Sequence, residues 1–481
     1  MIFIKLSELL NGVNVISFTG EDKEITNIIT NSNEAKEGCV FVAIKGTKAD
    51  GHKFAINAQE NGAAAVIVEE DTGVSITQVI TDNTRKAISL MWANMYKNPA
   101  ASLTLAGVTG TNGKTTTAFL TQYILESCGI KAGIIGTVEN ITGAGREPAK
   151  YTTPEPSQLQ SLLASMRDTG LSHLVMEVSS HALSQDRTAG LVFDAGAFTN
   201  LTQDHLDYHK TMDNYLQEKL KLIDISQKAV INIDDKYGSE FVKKAKGVFY
   251  TYGIENKADF MAADIKQTAD GSNFTLLSPD GQFDTYIGIP GRFSIYNALC
   301  AAGLCYALGI KAKKIAEVLK TAKGICGRME SVKTGRDFKI IIDYAHTPDG
   351  LLNALKTLKE IPKEGRLIVL FGCGGDRDKE KRSKMGSIAC DLADYCIITS
   401  DNPRTENPEA IIANILEGIE GTKTPYKVIP NRKEAIKFAI ENAKSGDVIL
   451  LAGKGHETYQ ELKDGKIHFD EREVISEYIN F

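Results

Sequence analysis

Gly107-Val108-Thr109-Gly110-Thr111-Asn112-Gly113-Lys114-Thr115-Thr116-Thr117 decides how the whole chain is read. Residues 103–108 ahead of the glycines form a short apolar run with strand character, and residues 118–125 behind them have helical spacing. The glycines therefore fall at a strand-to-helix turn. Glycine lets backbone approach an anion closely, the free N–H groups of a helix start donate to phosphate oxygens, and the helix dipole adds partial positive charge. Lys114 is then placed to reach β- and γ-phosphates, and Thr115 to ligate Mg2+. The strict spacing G-x-x-x-x-G-K-[ST] asks for glycine at position 108; valine stands there, with Gly107 and Gly110 nearby.

A chain of 481 residues exceeds one hydrophobic core and suggests about three domains of ~150 residues. The net charge is -6 and the basic residues are dispersed, which argues against a nucleic-acid surface. Lys5, Ser7 and Glu8 interrupt the first ten residues, and no later run approaches ~18 apolar residues. Neither a secretion signal nor a membrane span is expected, and the expected location is the cytoplasm. Eight scattered cysteines without a C-x-x-C pair fit reduced thiols there.

Residues 1–98 read as a first α/β unit, with strands at 25–29, 39–44 and 64–68 and helices at 54–60 and 84–96. Asn31-Ser32-Asn33 and residues 45–52 are polar loops that suit a phosphate or nucleobase, or are ordinary surface loops. Asn98-Pro99 marks the boundary. Residues 99–328 form a second unit whose strands end in polar clusters, where ligands sit in open parallel sheets. Glu177 follows Leu174-Val175-Met176 and is the natural carboxylate beside a nucleotide-bound Mg2+. From 329 onward, strands at 338–343, 367–371, 395–399 and 448–451 alternate with helical patterns, giving a second doubly wound sheet. Its strand ends carry Asp343-Tyr344-Ala345-His346, residues 372–378, Asp401-Asn402-Pro403-Arg404 and residues 453–457. Four loops from one sheet edge are expected to line one cleft.

The phosphate loop, Glu177-Val178-Ser179-Ser180-His181, Asp204-His205, Gly327-Arg328-Met329-Glu330, Asp343-Tyr344-Ala345-His346 and Asp401-Asn402-Pro403-Arg404, in this order, resemble the Mur ligases, more narrowly the branch adding the third stem amino acid. The resemblance covers essentially the whole chain. It implies a three-domain α/β fold: a uridine-binding domain (1–98), a central P-loop ATPase-like domain with a mostly parallel sheet (99–328), and a C-terminal Rossmann-like domain that binds an amino acid (329–481). The implied activity is ATP-dependent joining of an amino acid to the D-glutamate of a UDP-linked muramoyl dipeptide during peptidoglycan synthesis, by a monomer whose partners are small molecules.

Carried over by residue, the resemblance implies that Gly110, Thr111, Asn112, Gly113, Lys114, Thr115, Thr116, Asn297 and Arg328 bind ATP. Thr115 and Glu177 would hold a first Mg2+, and His205 a second. Ser32, Thr152, Thr153, Ser179, Gln185 and Arg187 would bind the UDP-dipeptide. The family usually reads D-S-R where Asn31-Ser32-Asn33 stands, and Asn where Ser294 stands. Lys219 by itself reads as a surface helix lysine; the resemblance makes it a carbamylated one, an anion bridging to metal. A cation there would oppose Mg2+ and Lys114.

Within the family, Asp401-Asn402-Pro403-Arg404 accompanies meso-diaminopimelate rather than L-lysine. Diaminopimelate carries one extra carboxylate, which a guanidinium fork matches. A charged hydrogen bond of roughly 1.5–3 kcal/mol favours it by about ten- to a hundredfold. Arg404 would also repel the distal ammonium of lysine. Arg377, Gly453 and Glu457 match other positions around this amino acid, with Glu457 suited to its distal ammonium. L-Lysine is the alternative substrate, and an ion pair with Glu406 is the alternative role for Arg404. A nucleotide-driven switch or motor would leave the third domain's loops unexplained, and a folylpolyglutamate synthase should lack residues 1–98 as a uridine-binding domain.

Overall fold

The computed structural model describes residues 3–46, 49–268, 270–322, 324–361 and 364–479; Thr47 and Lys48 of the first polar loop lie outside the described residues. The strand Thr104–Thr109 is nearly all buried, as an apolar run inside a parallel sheet must be. It stands inside an eleven-stranded sheet, between His173–Glu177 and Phe193–Phe198, parallel to both. The registers set Glu177 beside Val108 and Phe198 beside Thr109. Three strand ends therefore reach one edge of the sheet at the phosphate loop. Val108 is a buried strand residue, so the loop proper begins after it.

Seven parallel strands make the middle of this sheet, and antiparallel hairpins close both ends. The Ala-rich helix Arg292–Ala307 is buried nearly all round, with Ala298, Leu299, Ala301 and Ala302 fully enclosed, so it is a core element and not an amphipathic cover. It packs with Lys114–Ser127 on one face. Leu159 and Leu163 of Pro156–Asp168 and Leu222 of Met212–Asp224 cover the other, against Phe193. The antiparallel meander of Phe260–Thr268, Gly271–Ser278 and Gly281–Ile287 answers to no strand in the sequence reading, because exposed polar residues such as Asp264, Lys266, Asn273, Gln282 and Asp284 break the apolar runs.

Residues before 98 build a five-stranded sheet, Val15–Thr19 lying antiparallel at the edge of four parallel strands. Val15–Thr19 is largely exposed, which hides it from a periodicity reading. The last sheet has five parallel strands in the spatial order Lys339–Asp343, Val448–Ala452, Leu367–Phe371, Tyr395–Ile398, Tyr426–Val428, with Glu330–Val332 antiparallel at the edge. Helices cover both faces, and because these strands are parallel all four polar loops noted in sequence leave from one sheet edge. All eight cysteines are free. Among the described residues no helix is long and apolar enough to cross a membrane.

Arg432 and Glu471, both fully buried, pair at 2.8 Å through Arg432 Nη2, which also donates to the Ala452 carbonyl at 2.9 Å, while Nε donates to Glu471 at 2.9 Å. The pair fastens the last helix, Glu471–Ile479, to the strand end that carries Gly453 and Lys454. Removing one partner strands a buried charge, so Glu471→Ala should cost roughly 3–5 kcal/mol, whereas Arg432→Met with Glu471→Leu should be near neutral. Urea unfolding of the two variants checks this; a cost below ~1 kcal/mol for the single change would refute it.

Candidate active site

The phosphate loop takes a conformation that only glycine tolerates at two points. Gly110 has φ +149° and Gly113 φ +85°; a Cβ on the first would sit 1.8 Å from Thr199 Oγ1, and on the second 2.3 Å from Asn297 Oδ1. The loop after Phe193–Phe198 clasps it. Asn200 Oδ1 accepts from the Asn112 N–H at 2.9 Å, and Thr199 Oγ1 donates to the Asn112 carbonyl at 2.6 Å. Thr116 is buried in the first turn of the following helix.

Two lysines converge on one acceptor. Lys114 Nζ donates to the carbonyls of Gly110 at 2.9 Å and Thr111 at 2.8 Å, and Lys219 Nζ donates to Gly110 at 2.8 Å. Lys219 is 1% exposed, with the Tyr215 ring 4.5 Å from its ammonium nitrogen. The bland alternative of a surface lysine does not hold: helix Met212–Asp224 turns this face inward. Burial first, and Lys114 second, push the Lys219 amine well below the ordinary lysine value.

Glu177 is fully buried, as expected of a strand-end acid. Its carboxylate accepts from Thr115 Oγ1 at 3.0 Å, from Thr137 Oγ1 at 2.9 Å and from the Thr137 N–H at 2.8 Å. Arg328 Nη2 donates to Thr115 Oγ1 at 3.2 Å from the entry to the third sheet. Among the described residues no three His, Cys, Asp or Glu side chains are grouped to hold a metal. A cation bound by Thr115 and Glu177 would thus take its remaining ligands from phosphate and water, the ordinary manner of Mg2+.

The residues assigned to the dipeptide adjoin this carboxylate. Thr152 Oγ1 accepts from Thr137 at 3.1 Å; Thr153 Oγ1 donates to the Glu177 carbonyl at 2.8 Å and accepts from the Ser179 N–H at 3.0 Å. Arg187 donates to Gln185 at 2.8 Å and to the Thr153 carbonyl at 2.9 Å. His205, in the left-handed region at φ +54°, lies edge-on to His181 with ring centres 4.8 Å apart. Burial and His205 push His181 down to about 4, so it is a neutral imidazole at pH 7. Ser32 is buried in the first sheet's loop, apart from this network; Asn31 caps it by accepting from the Asn33 N–H at 3.1 Å, a role aspartate would fill equally.

In the third sheet the Asp401 and Gly453 loops meet through Lys454, which is fully buried. Its Nζ lies 3.2 Å from Asp401 Oδ1, 2.9 Å from Asn402 Oδ1 and 3.0 Å from Glu457 Oε2. Burial raises the Asp401 carboxyl, but Lys454 and Arg432 outweigh it and hold the group below the usual carboxylate range. Arg404, at φ +52°, does not pair with Glu406. Its Nε donates to Glu461 at 2.9 Å and its Nη1 to the Gly375 carbonyl at 2.8 Å, while the buried Arg382 takes both oxygens of Glu406. Pro403 is buried. Arg377 is exposed and bonds the Asp376 carbonyl; it and Arg404 flank Gly374.

The third domain reaches the phosphate loop directly. Asp349, in the first turn of Pro348–Glu360, accepts from Asn112 Nδ2 at 2.8 Å and Thr202 Oγ1 at 2.9 Å. Asp349, Thr137, Lys454 and Glu461 escaped assignment from sequence. Their partners lie on other loops or domains, and only the position of Lys454 between two glycines in a strand-end loop hinted at a role.

The comparisons agree over the full length. Residues 108–305 match the Mur ligase middle domain, 327–455 the Mur ligase glutamate ligase domain, and 24–94 the Mur ligase family catalytic domain. A protein of Caldanaerobacter subterraneus named UDP-N-acetylmuramoyl-L-alanyl-D-glutamate--2,6-diaminopimelate ligase is 46% identical, covering 99% of each chain. A solved structure titled as that same ligase is 32% identical, with TM-score 0.71 and 99% of each chain covered. Folylpolyglutamate synthase of Mycobacterium tuberculosis, at 17% identity and TM-score 0.63, shares the fold over 77% of this chain. With all three segments matched and a relative this similar from end to end, the chain belongs to the Mur ligase family.

Proposed function

We propose that the protein joins meso-diaminopimelate to the D-glutamate of UDP-N-acetylmuramoyl-L-alanyl-D-glutamate, with ATP cleaved to ADP and phosphate. The carrying observation is the convergence of Lys114 and the buried Lys219 on Gly110, beside the Thr115–Glu177 pair. Residues 1–98 hold the uridine end through Ser32, residues 99–328 the ATP and the dipeptide, and residues 329–481 the incoming amino acid. The names of the full-length relatives support this reading.

The chemistry to be performed is repulsive at its start. A γ-carboxylate attacks the γ-phosphate to give an acyl phosphate and ADP; the amine of the amino acid then attacks the acyl carbon, and the tetrahedral intermediate expels phosphate. Lys114 neutralises the γ-phosphate, and the loop N–H groups hold the chain of phosphates in line. Mg2+ held by Thr115 and Glu177, with a second at His205 and the Lys219 carbamate, would supply further positive charge. Arg187, Thr152, Thr153, Ser179 and Gln185 orient the glutamate carboxylate, and the third domain, tethered through Asp349, excludes water from the acyl phosphate.

Lys219 suits carbamylation because burial and Lys114 lower its basicity and so favour the neutral amine, the form that adds CO2 and releases a proton. Arg404 suits the distal carboxylate of diaminopimelate. Glu461 and Gly375 occupy its Nε and Nη1, which fixes the guanidinium plane and leaves Nη2 outside those bonds.

Phosphate release from ATP, with Mg2+ and UDP-muramoyl dipeptide, should require meso-diaminopimelate and respond at least tenfold less to L-lysine. A response to lysine alone would refute the Arg404 assignment, and release indifferent to every amino acid would refute the ligase. For Lys219 the sign follows from its lowered value: the folded state binds fewer protons than the unfolded, so stability rises with pH until the ordinary lysine value is passed. In CO2-depleted buffer at pH 7, Lys219→Met should therefore raise the melting midpoint by ~2–4 °C, with the gain shrinking toward pH 10, while in bicarbonate-containing buffer its ligation should fall by about a hundredfold or more relative to wild type. A lowered midpoint would refute the buried-amine account.

A further inference from the structure

Lys454 is the one fully buried lysine in the third domain's strand-end loops among the described residues, and its ammonium lies in reach of acceptors from both loops assigned to the incoming amino acid. It spans from the end of Val448–Ala452 across Leu367–Phe371 to the end of Tyr395–Ile398, since those three strands are adjacent in that order. This is the crevice where ligands of doubly wound sheets bind. We propose that Lys454 is a positioning and specificity-determining residue, setting the charge balance that lets the pocket take a zwitterionic distal group and refuse a lone ammonium.

The inference rests on the ligase reading above and goes beyond it to a residue that need not touch the substrate. Asp401, Glu457 and Glu461 contribute three negative charges, and Lys454 and Arg404 two positive ones, at the ends of these loops. The distal end of diaminopimelate is an ammonium and a carboxylate with no net charge; that of L-lysine is a bare ammonium. With Lys454 present, Glu457 Oε2 and Asp401 Oδ1 are already engaged by a cation, so the attraction left for a second ammonium is reduced. Arg404 repels that ammonium unless a carboxylate accompanies it. Without the Lys454 charge, Glu457 loses the cation bonded to it and Asp401 keeps only Arg432 nearby, so the pocket would favour the more cationic ligand. Coulomb energies at these separations in a partly buried site are large enough for about a tenfold change in preference.

Asn402 ties the same balance to the pocket wall. Its Oδ1 accepts from Lys454 and from the Glu461 N–H at 2.9 Å, and its Nδ2 donates to Glu457 at 2.9 Å. Lys454 therefore also fixes the side chain that holds the hairpin Tyr459–His468 against Arg404.

The test compares kcat/KM for meso-diaminopimelate and for L-lysine in wild type, Lys454→Met and the double variant Lys454→Met with Asp401→Asn, with KM for ATP measured alongside. The single change should lower the diaminopimelate-to-lysine ratio about tenfold, mainly through KM for the amino acid, and leave KM for ATP within about twofold. The double change removes one charge of each sign and should restore most of the ratio. Should Lys454→Met fail to fold, the double variant and Lys454→Gln carry the comparison. Equal losses for both amino acids, or a double variant no more selective than the single, would show a merely structural lysine and overturn the proposal. Wild-type enzyme inactive with either amino acid would instead overturn the ligase reading.

Discussion

The site depends on the Gly110 carbonyl, an acceptor shared by two lysine side chains that electrostatics would keep apart. Lys114 arrives from the helix that the phosphate loop opens, and Lys219 from Met212–Asp224 packed on the other face of the sheet. Two ammonium groups on one carbonyl, one of them out of water, are tolerable only where anions are meant to come or where one amine gives up its proton. Both conditions belong to phosphoryl transfer onto a carboxylate, where the reacting groups are all negative. The fully buried Glu177 supplies the counter-charge, and its three hydrogen bonds from Thr115 and Thr137 keep it from needing a lysine partner of its own.

From that point the arrangement spreads outward by shared polar atoms. Thr153 joins the Glu177 backbone to Arg187, and Thr199 and Asn200 join the phosphate loop to the next strand end. Asp349 brings the third domain onto Asn112, and Arg328, at the boundary just before that domain, reaches Thr115. Left-handed backbone at His205, Asp376 and Arg404 falls in the same loops, and such strain persists only where surrounding contacts over-determine it. The third domain repeats the logic with opposite emphasis: in place of two cations on one carbonyl, one cation, Lys454, lies among three acceptors.

Much of this was legible in sequence because the signals are local. Glu177 after three apolar residues reads as a buried acid, and it is one. The parallel strands of the third domain read as apolar runs, and their polar C-terminal ends mark one edge. Edge strands such as Val15–Thr19 and Tyr426–Val428 were not legible, since short exposed strands lack both run and alternation. The alternative ion pair of Arg404 with Glu406 does not form for a related reason: Glu406 is near in sequence, but the buried Arg382 captures it, and Glu461 on a later hairpin bonds Arg404 instead.

The sequence by itself determined the phosphate loop, the acids and bases at the strand ends, and the family, since eleven consecutive residues carry the strand, glycines, lysine and helix that a polyphosphate needs. The tertiary structure alone decided that Lys219 is buried and touches Gly110, which is 109 residues away. It alone decided that Lys454 binds two loops together and that Asp349 meets Asn112. Those contacts join elements distant along the chain, and no local propensity records which face of a helix, or which carboxylate of several, the packing of two sheets will bring within a hydrogen bond.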